Sequence, residues 1–325
     1  MIVDAHLDLA HNVVDLGRNL LLPLEDLRAR DHHPDIPVVT LPSLRRGGVA
    51  LCFATLWVSP SLFPDPQSAH MQALRQLEVY QRWEELGYAR IVRNSVELES
   101  HLTKWKRDKI PGLLILIEGA EPVREPGEVA FWRQQGVRLI GPAWRRTRYC
   151  GGTSEPGGLT DLGVELLRAM DEARVGLDFA HMDEEAFWEA LEVFKGPVCA
   201  SHANPRRFVP STNRHLSDPM IRAIGQRQGV IGIVLFNAFL VSGWQRGMDR
   251  VGLNIVQEHL EHVAGQIGWD KVGIGSDFDG GFGRDDNPQG LDEPADLRKL
   301  SGLVPVEQRE NILNANWLRW LKGWL

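Results

Sequence analysis

Eight short apolar runs recur along the chain, near residues 2–6, 49–58, 112–118, 137–143, 174–180, 197–202, 229–236 and 271–277. Each has the length of a strand and is nearly continuous in Val, Ile, Leu and Phe, the pattern of parallel strands buried on both faces. Between them lie stretches with apolar residues at i, i+3, i+4 and i+7, such as SAHMQALRQLEVYQRWEELG, LTDLGVELLRAMDEA, DEEAFWEALEVFKG and NIVQEHLEHVAGQIG, which read as amphipathic helices. Thr160 followed by Asp161 marks a helix start, and Gly196-Pro197 marks a stop. Strand–helix alternation repeated eight times predicts an α/β fold, a (β/α)8 TIM-like barrel, in preference to an open doubly wound sheet. The 325 residues exceed the ~250 typical of such a barrel, and no linker or low-complexity tract divides them, so 1–325 reads as a single domain.

A net charge of −7 gives no reason to expect nucleic acid or an anionic membrane as partner. Three cysteines do not make a disulfide framework, and Cys52 and Cys199, inside apolar runs, read as small core residues. No secretory leader precedes the first run and no apolar stretch approaches the ~20 residues of a membrane span, so a cytoplasmic protein is expected. The Pro-rich segments 31–42 and 59–66 read as loops near the barrel mouth. The tail VEQRENILNANWLRWLKGWL reads as a closing helix, with Trp317, Trp320 and Trp324 at packing spacing.

Five of the apolar runs stop at metal-competent side chains: His6 and Asp8, Glu118, His181, His202 and Asp277. The C-terminal ends of parallel barrel strands converge on one face, so residues this far apart in sequence can meet in one pocket. His6 and Asp8 share a strand face because strand side chains alternate with period two, and imidazole with carboxylate suits zinc and its neighbours. Glu118 ends LLILIEGA, where a carboxylate is costly to bury without a partner; it is either salt-bridged to an arginine or shared between two metals. One histidine at a strand end is more often a satisfied core residue, but His181 and His202 occupy equivalent places in consecutive βα units. Asp277 in GSDFDG is suited to proton transfer beside a metal centre. Its rival Asp279 is expected to point away by alternation and to serve turn chemistry before Gly280-Gly281. The chain has no G-x-S-x-G elbow, no P-loop and no C-x-x-C pair, and the lone Gly273-x-Gly275 lacks the third glycine of a dinucleotide fingerprint.

These residues in this order resemble the membrane (renal) dipeptidase family of zinc peptidases, a branch of the amidohydrolase-like barrels. The likeness is densest in GGLTDLGVELLRAMDEARVGLDFAHMDEEAFWEALEVFKGPVCASHANPR and recurs in GVIGIVLF and GIGSDFDG. It implies two zinc ions per chain, or other divalent transition metals, with His6 and Asp8 on the first, His181 and His202 on the second, and Glu118 bridging. It implies that Asp277 shuttles a proton, that Arg214 in NRHLSD takes the substrate carboxylate, and that the reaction is hydrolysis of a dipeptide, often with a D-residue at its C-terminal position. A homodimer is the assembly the family suggests. Where the family usually has a substrate-facing histidine after the fourth strand, this chain reads GVRLIGPAWRRTRYC, with Trp144 at or beside that place. Indole donates one hydrogen bond and carries no charge, so either a neighbour (Arg145, Arg146, Arg148 or Tyr149) substitutes, or the substrate is another small amide or a lactone. A barrel kept only for binding has no physical need of so costly a cluster of charges.

Overall fold

A computed structural model describes all 325 residues. Eight parallel strands form the barrel: β1 Ile2–Leu7, β2 Val49–Trp57, β3 Gly112–Glu118, β4 Val137–Gly141, β5 Gly176–Asp178, β6 Val198–Cys199, β7 Ile231–Ile233 and β8 Val272–Ile274. They pair in the order β7-β8-β1-β2-β3-β4-β5-β6, and a parallel bridge between Ala200 and Ile231 links the two ends. The predicted barrel is therefore the observed one.

The later strands are shorter than their apolar runs. Beyond β5 and β6 the chain stays buried but leaves the regular ladder, and this is where site residues leave the sheet. Two additions were not anticipated. Arg90–Ile91 pairs alongside β3, and an antiparallel hairpin, Cys150–Gly152 with Glu155–Leu159, follows β4.

Helices run where the periodicity places them, at Pro66–Glu85, Asp161–Ala173, Glu184–Val193 and Leu253–Ile267. The Thr160 hydroxyl accepts from the Gly163 amide at 3.0 Å, a side-chain N-cap at the predicted start. No helix is long and apolar enough to cross a membrane. All three cysteines are buried and unpaired.

Inside the barrel, Val3, Ala5, Leu51, Phe53, Leu114 and Leu116 form one apolar cluster that the C-terminal helix Asn316–Lys322 joins. Trp317 packs edge-on to Phe53 at 5.1 Å and donates from Nε1 to the Ile274 carbonyl at 3.1 Å. A Cβ on Gly273 would lie 2.2 Å from that nitrogen, so this glycine admits the indole. The tail is a closing helix, and the Gly273-x-Gly275 pair serves packing.

A candidate metal centre at the barrel mouth

β1 carries a bulge: three of its residues advance from Asp4 to Leu7 while β2 advances two, from Cys52 to Ala54. His6 lies within this irregularity and Asp8 directly after the strand. Glu118 is the last residue of β3, and His181, His202 and Asp277 each follow a strand by a few residues. All six are at most 7% exposed. The structure brings together every metal-competent residue singled out from the sequence.

Glu118 sits at their centre. One carboxylate oxygen, Oε2, lies 3.2 Å from His6 Nε2. The other, Oε1, lies 3.0 Å from His181 Nε2 and 3.4 Å from His202 Nε2. Asp8 and Asp277 each place an oxygen 3.9 Å from His6 Nε2, so the donors divide into two sets about one carboxylate. Two groupings, His6–Glu118–His202 and His6–Asp8–Asp277, each have ligand atoms within 4.8 Å of one another.

The far sides of the rings are committed elsewhere. The Ser201 hydroxyl donates to Asp178 and lies 2.8 Å from His202 Nδ1, so that nitrogen must be the donor. His202 therefore presents a bare lone pair at Nε2, 2.9 Å from His181 Nε2. The Thr153 hydroxyl, at the turn of the hairpin after β4, lies 3.0 Å from His181 Nδ1. Thr55 donates to Asp8. Imidazole nitrogens turned inward, with hydroxyls holding their opposite edges, are the donor set and the outer support that a divalent metal requires.

Electrostatics point the same way. Burial disfavours charge on His6, but Glu118, then Asp8 and Asp277, outweigh it and raise its pKa to about 10. Burial, then the adjacent Arg214, lowers His181 to about 4, and burial, His6 and Arg214 hold His202 well below its usual value. Burial, reinforced by Asp8 and Glu118, pushes Asp277 well above the carboxylate range. The carboxylates gathered around His6 thus favour positive charge at their centre.

His181 and Asp277 both adopt left-handed backbone, with φ of 68° and 60°, conformations that side-chain-bearing residues adopt seldom and functional sites often. Asp279 does point elsewhere, although not by alternation, since β8 ends at Ile274. Its carboxylate accepts from the Val38 and Val39 amides at 2.8–3.0 Å and ties the 31–42 loop to the barrel mouth.

The centre opens into a cavity of about 260 Å³, room for a small molecule. Its walls include His11, Trp57, Trp144, Phe236, Phe239 and Phe282. Trp144 is thus on the wall, packed edge-on against Trp57 at 5.1 Å. Arg214 is 2% exposed and is not itself a wall residue; its guanidinium lies 5.2 Å over the Phe239 ring. Its Nη2 donates to the His202 carbonyl at 2.8 Å, while Nε and Nη1 are buried without a partner. His11, Thr153, Ser201 and Asp178 were missed in the sequence. For Ser201 the available signal was its place directly before His202.

A parallel barrel with three imidazoles and three carboxylates gathered at the C-terminal ends of its strands is the architecture of a metal-dependent hydrolase. The profile of the membrane dipeptidase family (peptidase family M19) matches residues 1–322, and the chain belongs to that family of metallopeptidases. An uncharacterised protein from the pqqA 5′ region of Klebsiella pneumoniae is 31% identical over 73% of this chain and 89% of its own length. The dipeptidase tcpJ of Claviceps purpurea (strain 20.1) is 27% identical over 63% of this chain and 49% of its own. The fold is also that of a metallo peptidase from Rhodobacter sphaeroides, liganded in its crystal structure with a phosphinate mimic of the dipeptide L-Ala-D-Ala. That structure superimposes with a TM-score of 0.83 at 23% identity, covering 100% of this chain and 99% of that one.

Proposed function

We propose that this chain is a binuclear zinc dipeptidase that accepts a D-residue at the C-terminal position. The observation that carries the reading is the division of Glu118, one oxygen toward His6 and the other toward His181 and His202. In this assignment His6 and Asp8 hold one ion, His181 and His202 the other, and Glu118 both. The ions, when bound, polarise the scissile carbonyl and acidify the attacking water.

Asp277 takes a proton from that water and returns it to the leaving nitrogen; its burial favours the protonated form between the two steps. Arg214 holds the substrate carboxylate through Nε and Nη1, two buried donors that the protein leaves unpaired. The D-residue preference draws support from the family and from the L-Ala-D-Ala mimic bound by the Rhodobacter sphaeroides protein.

Elemental analysis of protein purified without chelator, followed by assay on L,L- and L,D-dipeptides, tests the reading. It expects two zinc per chain and turnover, with Asp277→Asn keeping the metal and losing activity. Trp144 on the cavity wall favours a second reading, the same centre acting on another small amide or a lactone, which dipeptide inactivity of a zinc-loaded protein would select.

A further inference from the structure

His11 lies on the short helix Leu9–Val14, which leaves the barrel directly after Asp8, and lines the same cavity as Asp8, Glu118 and Asp277. Its ring is held on two sides. Nδ1 lies 2.9 Å from Asp15 Oδ2, and the ring stands edge-on to Trp57 at 4.7 Å. Asp15 is pinned in turn by two glutamines of the helix Pro66–Glu85. Gln72 Nε2 donates to it at 2.6 Å and Gln76 Nε2 at 3.1 Å. Both glutamines are at most 3% exposed, and Gln76 also donates to the Trp57 carbonyl at 2.6 Å. A His–Asp pair that only finishes a helix of six residues needs no such buried support.

The proton inventory fixes what His11 offers. An ionised Asp15 only accepts, so the imidazole proton sits on Nδ1, and the neutral ring carries a lone pair at Nε2. No protein group bonds that nitrogen, and it is not among the buried unpaired atoms, so it is open to solvent. The remaining polar wall residues outside the metal cluster are Arg145, Thr153 and Ser154. The first is a cation, the second is engaged with His181, and the hydroxyl of the third is oriented by no hydrogen bond. His11 is the oriented acceptor of the wall and shares it with the carboxylate of Asp8 and the indole of Trp57, surroundings that favour a cationic donor.

We propose that His11, fixed by Asp15, receives the free α-amino group of the substrate. The inference rests on the dipeptidase reading and deepens it: the enzyme recognises the amine end at His11 as well as the carboxylate end at Arg214.

The test compares L-Ala-D-Ala with its des-amino analogue, propionyl-D-Ala, on zinc-loaded wild type, His11→Phe, His11→Gln and Asp15→Asn. Wild type should favour the amine-bearing substrate in kcat/KM. His11→Phe should cut that preference about tenfold or more, mainly through KM, as expected for one hydrogen bond to a charged group. His11→Gln, which keeps an acceptor, should restore part of it, and Asp15→Asn should fall between. Equal losses on both substrates, or an unchanged preference in His11→Phe and His11→Gln, would overturn the assignment. Wild-type inactivity on both substrates would instead overturn the dipeptidase reading on which it rests.

Discussion

Asp178 accepts hydrogen bonds from both the backbone amide, at 2.8 Å, and the hydroxyl of Ser201, the residue immediately before His202. The same arrangement recurs three strands further round the barrel, where Asp4 accepts from the amide of Ser276 at 2.8 Å and from its hydroxyl at 2.5 Å, immediately before Asp277. Each buried carboxylate thus clasps the end of another strand and fixes the backbone from which a site residue projects. Space for Ser201 comes from two glycines: a Cβ on Gly232 or Gly275 would lie 2.1 or 1.9 Å from its carbonyl oxygen. Outer-sphere partners of this kind orient ligands and set which ring nitrogen is protonated.

The two clasps should separate experimentally. Ser201→Ala removes the acceptor of His202 Nδ1–H and should weaken metal binding about 10–100-fold, measured by competition with a chromophoric chelator. Ser276→Ala should leave metal affinity close to wild type and lower turnover, because it loosens Asp277. Equal metal affinities in wild type and Ser201→Ala would remove the orienting role.

Metal uptake should depend on pH through His6. Its imidazole holds a proton up to about pH 10 in the metal-free protein, so a metal must displace that proton, and affinity should rise with pH below that point. The same shift governs stability without metal. The folded pKa is raised above the unfolded value of ~6.5, so the contribution is full below ~6.5 and is lost as pH rises through about 10. Denaturant unfolding at several pH values should show this loss in chelator-treated protein and not in the loaded form. Metal affinity that stays flat with pH would contradict the assignment.

Much of this was legible because barrel topology needs little more than a pattern. Continuous apolar runs and intervening helical periods suffice for eight parallel strands, and the polar residue at the end of a run marks the mouth. What stayed hidden depends on contacts between distant segments. The hairpin that delivers Thr153 to His181 reads in sequence as a Gly-rich loop, GGTSEPGG. Asp4 and Asp178 sit inside apolar runs without a visible partner, since Ser276 and Ser201 are far away in sequence. Strand alternation does not reach Asp279, because β8 ends at Ile274, and its partners, Val38 and Val39, lie far away in sequence.

The closing helix should be a major source of stability. Trp317 is fully buried against Phe53 and the β8 backbone, so Trp317→Ala should cost about 3–5 kcal/mol in denaturant unfolding. Gly273→Ala should destabilise by obstructing the same indole. A loss below about 1 kcal/mol for Trp317→Ala would show that the helix merely rests on the barrel.

Gly280 offers a way to move Asp277 without altering its chemistry. An added Cβ would lie 1.9 Å from Asp277 Oδ1 and 3.0 Å from the Asp277 carbonyl oxygen, so Gly280→Ala must swing that carboxylate aside, and the closest atoms belong to a side chain that can turn. The backbone there is not left-handed, so alanine itself is tolerated. Stability should change little, and metal content should stay at the wild-type level because Asp277 is not assigned as a ligand. Turnover should fall by about 10²-fold, the scale of a misplaced general acid–base group, in kcat more than in KM. Full activity in a correctly folded, metal-loaded Gly280→Ala protein would mean that the position of this carboxylate does not matter, and the proton-transfer role of Asp277 would fall with it.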